Sequence, residues 1–298
     1  MADSPPPTPK QLVGRPGGLR TLVGLALPTL PGVNLLPGIR KTSPRDFTGL
    51  SYQRTRVQAA RGDVEAYAAV CGFPRKDTLP LPYPHLLSFP LQMAIMSDPA
   101  FPHLAIGLVH LENTITAHRA IEVGEWLDLT TTATTPRAHA RGSLLDFATT
   151  VTSGDEVLWD STSTYLRRGA NTEGEPAVGL VIDNPPRGGV EWRLPADLGR
   201  TYAGVSGDHN PIHLYPLTAK ALGFPRQIAH GMWTAARSIA AIENRLPDAV
   251  CVEVAFKKPV FLPGTVTFAD RVDDGVHTFS LTNPRDGSPH LLGRATPA

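Results

Sequence analysis

The stretch Tyr202-Ala203-Gly204-Val205-Ser206-Gly207-Asp208-His209-Asn210-Pro211-Ile212-His213 gathers an acid, an amide and two histidines around a glycine and a proline. That is the composition of a rigid turn rather than of a helix or strand interior. Its opening half has an echo in Tyr67-Ala68-Ala69-Val70-Cys71-Gly72-Phe73. The echo continues downstream. Pro84-His85-Leu86-Leu87 opens an apolar helical segment reaching about Met96, and Ala229-His230-Gly231-Met232 opens another reaching about Leu246. Alternating, strand-like runs follow in both places, Val109 to Thr116 and Val250 to Phe256, with a late glycine in Val123-Gly124 and Pro263-Gly264. The spacing between copies varies, which puts insertions and deletions in loops. The pattern is an internal duplication.

Between the copies lies Gly169 to Gly189, GANTEGEPAVGLVIDNPPRGG, dense in Gly, Pro and Asn and without apolar periodicity. It reads as a linker. The division is then a tail and surface-wrapping segment over 1–40, a first copy over 41–168, a linker over 169–189 and a second copy over 190–298. Each copy contains a short helix and turn, one longer apolar helix, and long alternating strands such as Trp126 to Thr132, Ser143 to Thr152 and Val157 to Leu166. Ser238-Ile239-Ala240-Ala241-Ile242 is apolar nearly all round, so its helix is buried and wrapped by its sheet. One helix enclosed by a curved antiparallel sheet, twice over, is an α+β arrangement.

Composition agrees. A chain of 298 residues accommodates roughly two domains of about 150 residues, each able to bury a core without staples. The formal net charge of +1 and 18% charged residues give no electrostatic footprint for nucleic acid. The 30 prolines, roughly twice average usage, argue against a helical bundle. Cys71 and Cys251 form no disulfide framework and read as reduced, buried small hydrophobes. No run of apolar residues is long enough for a membrane span. The apolar stretch within Leu19 to Pro31 is cut by Pro28 and lacks an A-x-A cleavage site, so it does not read as a signal peptide. A cytoplasmic location is expected.

Several chemistries are tested by spacing at 202–213. A zinc-protease helix needs H-E-x-x-H, but Pro211 separates His209 from His213 and no Glu follows His209. A nucleophile elbow needs G-x-S-x-G, and Gly204-x-Ser206-Gly207 misses its last position. A calcium loop needs oxygen ligands spread over about twelve residues, and only Asp208 and Asn210 fit. No metal site is expected. What remains is Asp208 and His213 across a proline-fixed turn, an imidazole and a carboxylate able to converge on one water. The same residues also suit a capping aspartate and a loop histidine, and composition alone does not choose.

Read as Y-x-x-x-S-G-D-x-N-P-x-H, the stretch resembles the signature of the MaoC-like hydratases, also called hydratase 2 or (R)-specific enoyl-CoA hydratases. Ala229-His230-Gly231-Met232 and Phe256-Lys257-Lys258-Pro259-Val260-Phe261-Leu262-Pro263-Gly264 resemble the same family. The likeness covers the second copy well and the first weakly, and the whole chain resembles the double-hot-dog members, particularly the actinobacterial 3-hydroxyacyl-thioester dehydratases. The fold implied is a double hot dog. The activity implied is reversible addition of water to a trans-2-enoyl thioester, giving an (R)-3-hydroxyacyl thioester in fatty-acid metabolism. A non-catalytic acyl-thioester or lipid-binding protein, and a hot-dog thioesterase, are the alternatives.

The resemblance also implies roles. Asp208 and His213 hold the water, with Asn210 orienting the pair or the turn and Ser206 supporting it. The backbone N–H of Gly231 is the expected oxyanion donor, although the glycine also suits packing under the sheet. His230 fits either a helix cap or a substrate contact. Phe73 stands where Asp208 stands in the second copy, so one site per chain is expected. Leu86, Leu87, Phe89 and Leu91 of the first copy are candidates for the acyl wall or for core. No cofactor is implied, because coenzyme A or an acyl-carrier protein enters with the substrate. Arg226, Lys257 and Lys258 are candidates for its phosphate, and each also suits solvated surface. Such pseudo-dimeric chains can pair further into a homodimer.

Overall fold

The computed structural model describes residues 8–12, 47–102, 107–169 and 172–298. Most of the 1–40 segment, including Leu19 to Pro31, lies outside the described residues. In chain order the first elements are β1 (Lys10–Gln11), β2 (Ser51–Val57), α1 (Arg61–Cys71), α2 (Tyr83–Ser97), β3 (Leu108–Ala117), β4 (Leu127–Ala133), β5 (Arg137–His139), β6 (Gly142–Ser153) and β7 (Glu156–Arg168). Then come β8 (Val190–Leu194), α3 (Leu198–Ser206), α4 (Pro211–Leu214), α5 (Pro216–Ala221), α6 (Gly231–Ala240), β9 (Val250–Phe256), β10 (Gly264–Asp273), β11 (Val276–Thr282) and β12 (Pro289–Pro297). Two compact units interleave along the chain. The first takes in the described parts of Met1–Gln58, Pro84–His110 and Trp126–Val178; the second takes in Ala59–Tyr83, Leu111–Glu125 and Gly179–Ala298.

In the first unit the strands run in the order β1-β2-β4-β6-β7, with β5 paired to β6. All pairs are antiparallel except β1 with β2. The alternating residues of β4 alternate in burial, so one face turns to the core. That face, with Leu145 and Phe147 of β6 and Tyr165 of β7, packs on Ile95 and Met96 of α2. Pro90 sits inside α2, where it leaves one intrahelical bond unmade. Leu91 is wholly buried in the core, while Leu86, Leu87 and Phe89 are half-buried.

In the second unit β3, from Leu111 on, pairs with β9, followed by β12, β11, β10 and β8, all antiparallel. The β10–β11 hairpin turns on Asp274-Gly275, both at positive φ (49° and 78°), as a twist-matched two-residue turn requires. Helix α6 buries residues on nearly every side, among them Trp233, Ala235, Ala236 and Ile239. It ends at Ala240 and not near Leu246 as expected. The N–H groups of Ala241 and Ile242 close tightly onto Ser238 and Ile239, and Glu243–Arg245 is a separate 3₁₀ turn.

The echo detected in sequence has a structural counterpart. Helices α1 and α3 both end at a left-handed glycine, Gly72 (φ 81°) and Gly207 (φ 75°), whose N–H bonds to Ala68 and Ala203 respectively. Tyr67 and Tyr202, both buried, meet at 6.3 Å between ring centroids. After Gly72 comes Phe73, buried and stacked on Tyr67; after Gly207 comes Asp208, which keeps 29% of its side chain exposed. Among the described residues Cys71 and Cys251 are free thiols, and burial pushes the Cys71 thiol up to about 12. No helix among them is long and apolar enough to cross a membrane.

Candidate active site

The segment after α3 is a sequence of short local bonds. Ser206 Oγ accepts from the Asp208 N–H (3.2 Å), and Asp208 Oδ1 accepts from the Asn210 N–H (3.0 Å). Asn210 then caps α4, its Oδ1 accepting from the Ile212 N–H (3.4 Å), with Pro211 at the first helical position. These are the tasks for which Ser, Asp, Asn and Pro are suited at a helix start. Asn210 and Ser206 therefore shape the turn that presents Asp208. His209 is exposed, its Nδ1–H donating to the Gly207 carbonyl (3.1 Å).

Helix α4 carries His213 inward, where it is 8% exposed. Its Nδ1 lies 2.9 Å from the carbonyl of Ile228, and the Ile228 N–H returns a bond to Ile212 (3.1 Å). A carbonyl only accepts, so Nδ1 carries the proton and Nε2 of the neutral ring carries the lone pair. Ile228 is a residue that sequence reasoning did not single out. Gly199 is another. A Cβ on Gly199 would coincide with the backbone oxygen of His213, so α3 and α4 can approach this closely only with glycine there.

His230 precedes α6 but makes no side-chain cap bond; the cap alternative does not hold. Its Nε2 instead donates to the backbone carbonyl of Asp208 (3.0 Å) and lies 3.8 Å from Oδ2 of the same residue. The rings of His213 and His230 stack at 3.7 Å, and Tyr202 closes over His230 at 4.9 Å. The Gly231 N–H meets no acceptor among the described residues, as expected for the first amide of a helix. Gly231 also packs closely, since a Cβ would sit 3.2 Å from the Phe256 ring. The glycine therefore packs closely while its amide stays without an acceptor among the described residues.

Charge states follow from burial and neighbours. Burial pushes the Asp208 carboxyl up, but the imidazoles of His230 and His213 and the Asn210 N–H favour the carboxylate and hold it below the ordinary range. Burial lowers His213 below its usual value, against the pull of Asp208, and lowers His230 to about 3. At neutral pH the trio is one carboxylate and two neutral imidazoles. Its ligand atoms lie within 4.8 Å of one another, the composition of a metal site. Two of its ring nitrogens are already engaged, His213 Nδ1 with the Ile228 carbonyl and His230 Nε2 with the Asp208 carbonyl.

The other predicted residues are exposed and otherwise engaged. Arg226 lies over the Phe261 ring (5.8 Å), Lys257 Nζ donates to the Leu180 carbonyl (3.3 Å), and the Lys258 carbonyl contacts His290 Nδ1 (3.1 Å). No hydrogen bond or ring contact among the described residues joins them to the trio.

Two depressed histidines make stability depend on pH. Each has a lower pKa folded than unfolded, so below about pH 6.5 the unfolded chain binds more protons. Their contribution is complete above pH 6.5 and is lost as pH falls through the folded values. The urea midpoint is expected to fall from pH 6.5 downward, each histidine steepening the slope by up to about 1.4 kcal/mol per pH unit. A His230→Gln variant should show a shallower slope in the same titration.

The family profile of the MaoC like domain matches residues 177–281, which include every residue of the trio. The chain is 39% identical over 283 residues to the protein named 3-hydroxyacyl-thioester dehydratase X of Mycobacterium tuberculosis, covering 93% of this chain and 97% of that one. The crystal structure of HtdX from the same organism matches with a TM-score of 0.73 at 38% identity, covering 83% of this chain and 100% of that one. A MaoC-like dehydratase from Phytophthora capsici shares the fold (TM-score 0.70, 20% identity, 83% and 94% coverage). The helix-and-sheet units are hot-dog folds, and the chain belongs to the MaoC-like dehydratase family.

Proposed function

We propose that this chain is a hydro-lyase that adds water reversibly to trans-2-enoyl thioesters, forming (R)-3-hydroxyacyl thioesters. One observation carries the reading: an ionised Asp208 and a neutral His213 with a free Nε2 lone pair lie within 4.8 Å of each other and of His230, and the next residue, Gly231, carries an amide without an acceptor among the described residues. The relative named a 3-hydroxyacyl-thioester dehydratase along nearly its whole length supports it.

The reaction needs a base for the water, a proton for C2, and a donor for the thioester oxygen as enolate charge develops. The dyad takes one proton from water as its oxygen bonds to C3 and returns one to C2. It titrates as a unit, so the two protons belong to the pair. The Gly231 N–H, at the positive end of α6, stabilises the oxygen. Gly231 packs against Phe256 without a Cβ, which keeps the amide approachable. Substrate arrives on coenzyme A or a carrier protein, the reaction takes place in the cytoplasm, and the pseudo-dimeric chains pair as homodimers.

The test is an absorbance assay of the purified chain on trans-2-enoyl-CoAs of increasing length, with chiral analysis of the product. Loss of the conjugated enoyl signal with accumulation of the (R)-3-hydroxyacyl thioester is expected. Release of free thiol instead, or no water addition at any chain length, overturns the reading.

A further inference from the structure

His230 is 2% exposed and bonds to the backbone of Asp208, not to its carboxylate. Because a carbonyl accepts only, the proton of the neutral ring is on Nε2. The next residue in the chain is Gly231, whose amide stands open at the start of α6. A single buried side chain thus connects the turn bearing the carboxylate to the helix end bearing the oxyanion donor. The same ring stacks on His213 and is backed by Tyr202, itself buried against Tyr67, so it has little freedom to tilt.

We infer that His230 is a positioning residue that sets the distance between the Asp208/His213 dyad and the Gly231 amide. The inference rests on the hydratase reading above and deepens it. Addition of water and stabilisation of the thioester oxygen occur on one substrate, so the two sets of groups must hold a fixed separation. A misplacement of about 1 Å costs on the order of 10²-fold in rate. No other side-chain hydrogen bond among the described residues joins 207–210 to the residues around 230. Loss of the Nε2–H donor therefore frees the Asp208 end of the turn, while the bond between His213 Nδ1 and the Ile228 carbonyl remains.

The test compares His230→Leu, which fills similar volume and donates nothing, with His230→Gln, whose side-chain N–H can reach the Asp208 carbonyl. The leucine variant is expected to lose about 10²-fold in kcat on crotonyl-CoA with KM within about threefold of wild type. The glutamine variant is expected to recover most of kcat. In an Asp208→Asn background, His230→Leu should cost little more, because the group it positions is gone. Leucine retaining wild-type kcat, a folded glutamine variant as slow as leucine, or an equal loss in both backgrounds overturns the inference. Failure of wild type to hydrate any enoyl-CoA removes the hydratase reading itself, and with it this role.

Discussion

Asp208→Asn and His213→Ala are each expected to lower hydration of crotonyl-CoA by about 10²-fold or more, with the fold intact. The asparagine is nearly isosteric, and its side-chain oxygen still accepts from the Asn210 N–H that holds the turn. What it loses is the charge, and with it the ability to take a proton from water. The alanine at 213 removes the Nε2 lone pair and leaves the Ile228 carbonyl without its donor. That carbonyl keeps a lone-pair partner only if water enters, so a destabilisation of about 1–3 kcal/mol accompanies the catalytic loss. Circular dichroism and a urea melt separate the two effects. Because the dyad acts as a unit, the double variant should be no slower than the slower single variant by more than a few fold. Rates near wild type in either single variant would remove the assignment of these residues.

Much of this arrangement is legible in sequence because it is local. Gly207, Asp208, Asn210, Pro211 and His213 fall within one turn and one short helix, and their spacing dictates who bonds to whom. The duplication is legible for the same reason, since a helix closing at a left-handed glycine leaves a short pattern at both Gly72 and Gly207. Contacts between distant residues leave no such pattern. Nothing near Ile228 marks it as the acceptor for His213, and a histidine before a helix reads as a cap whether or not it bonds elsewhere. The overrun of α6 has a different cause. Ala241 and Ile242 continue the apolar run, and Ile242 is indeed buried, yet burial does not require continued helix. Periodicity reports which side chains leave water, not which carbonyls remain bonded.

Gly199 illustrates how a residue remote from chemistry decides the geometry of a site. It occupies the second position of α3, buried, with the backbone of His213 lying where its Cβ would be. Gly199→Ala therefore must separate α3 from α4 or displace His213, because the obstructing atoms are the backbone O, C and Cα of His213 and not the end of a flexible side chain. Overpacking of this kind costs about 1–3 kcal/mol, and displacement of the imidazole by about 1 Å costs on the order of 10²-fold in rate. Gly204 provides the internal control. It lies in the same helix, is exposed, and a Cβ there meets nothing within 4 Å. Gly204→Ala is expected to keep full activity and to stabilise the helix by up to about 1 kcal/mol. Side-by-side melts and crotonyl-CoA rates for the two variants check the contrast. If Gly199→Ala hydrates as fast as Gly204→Ala, the close approach of α3 to α4 does not set the position of His213.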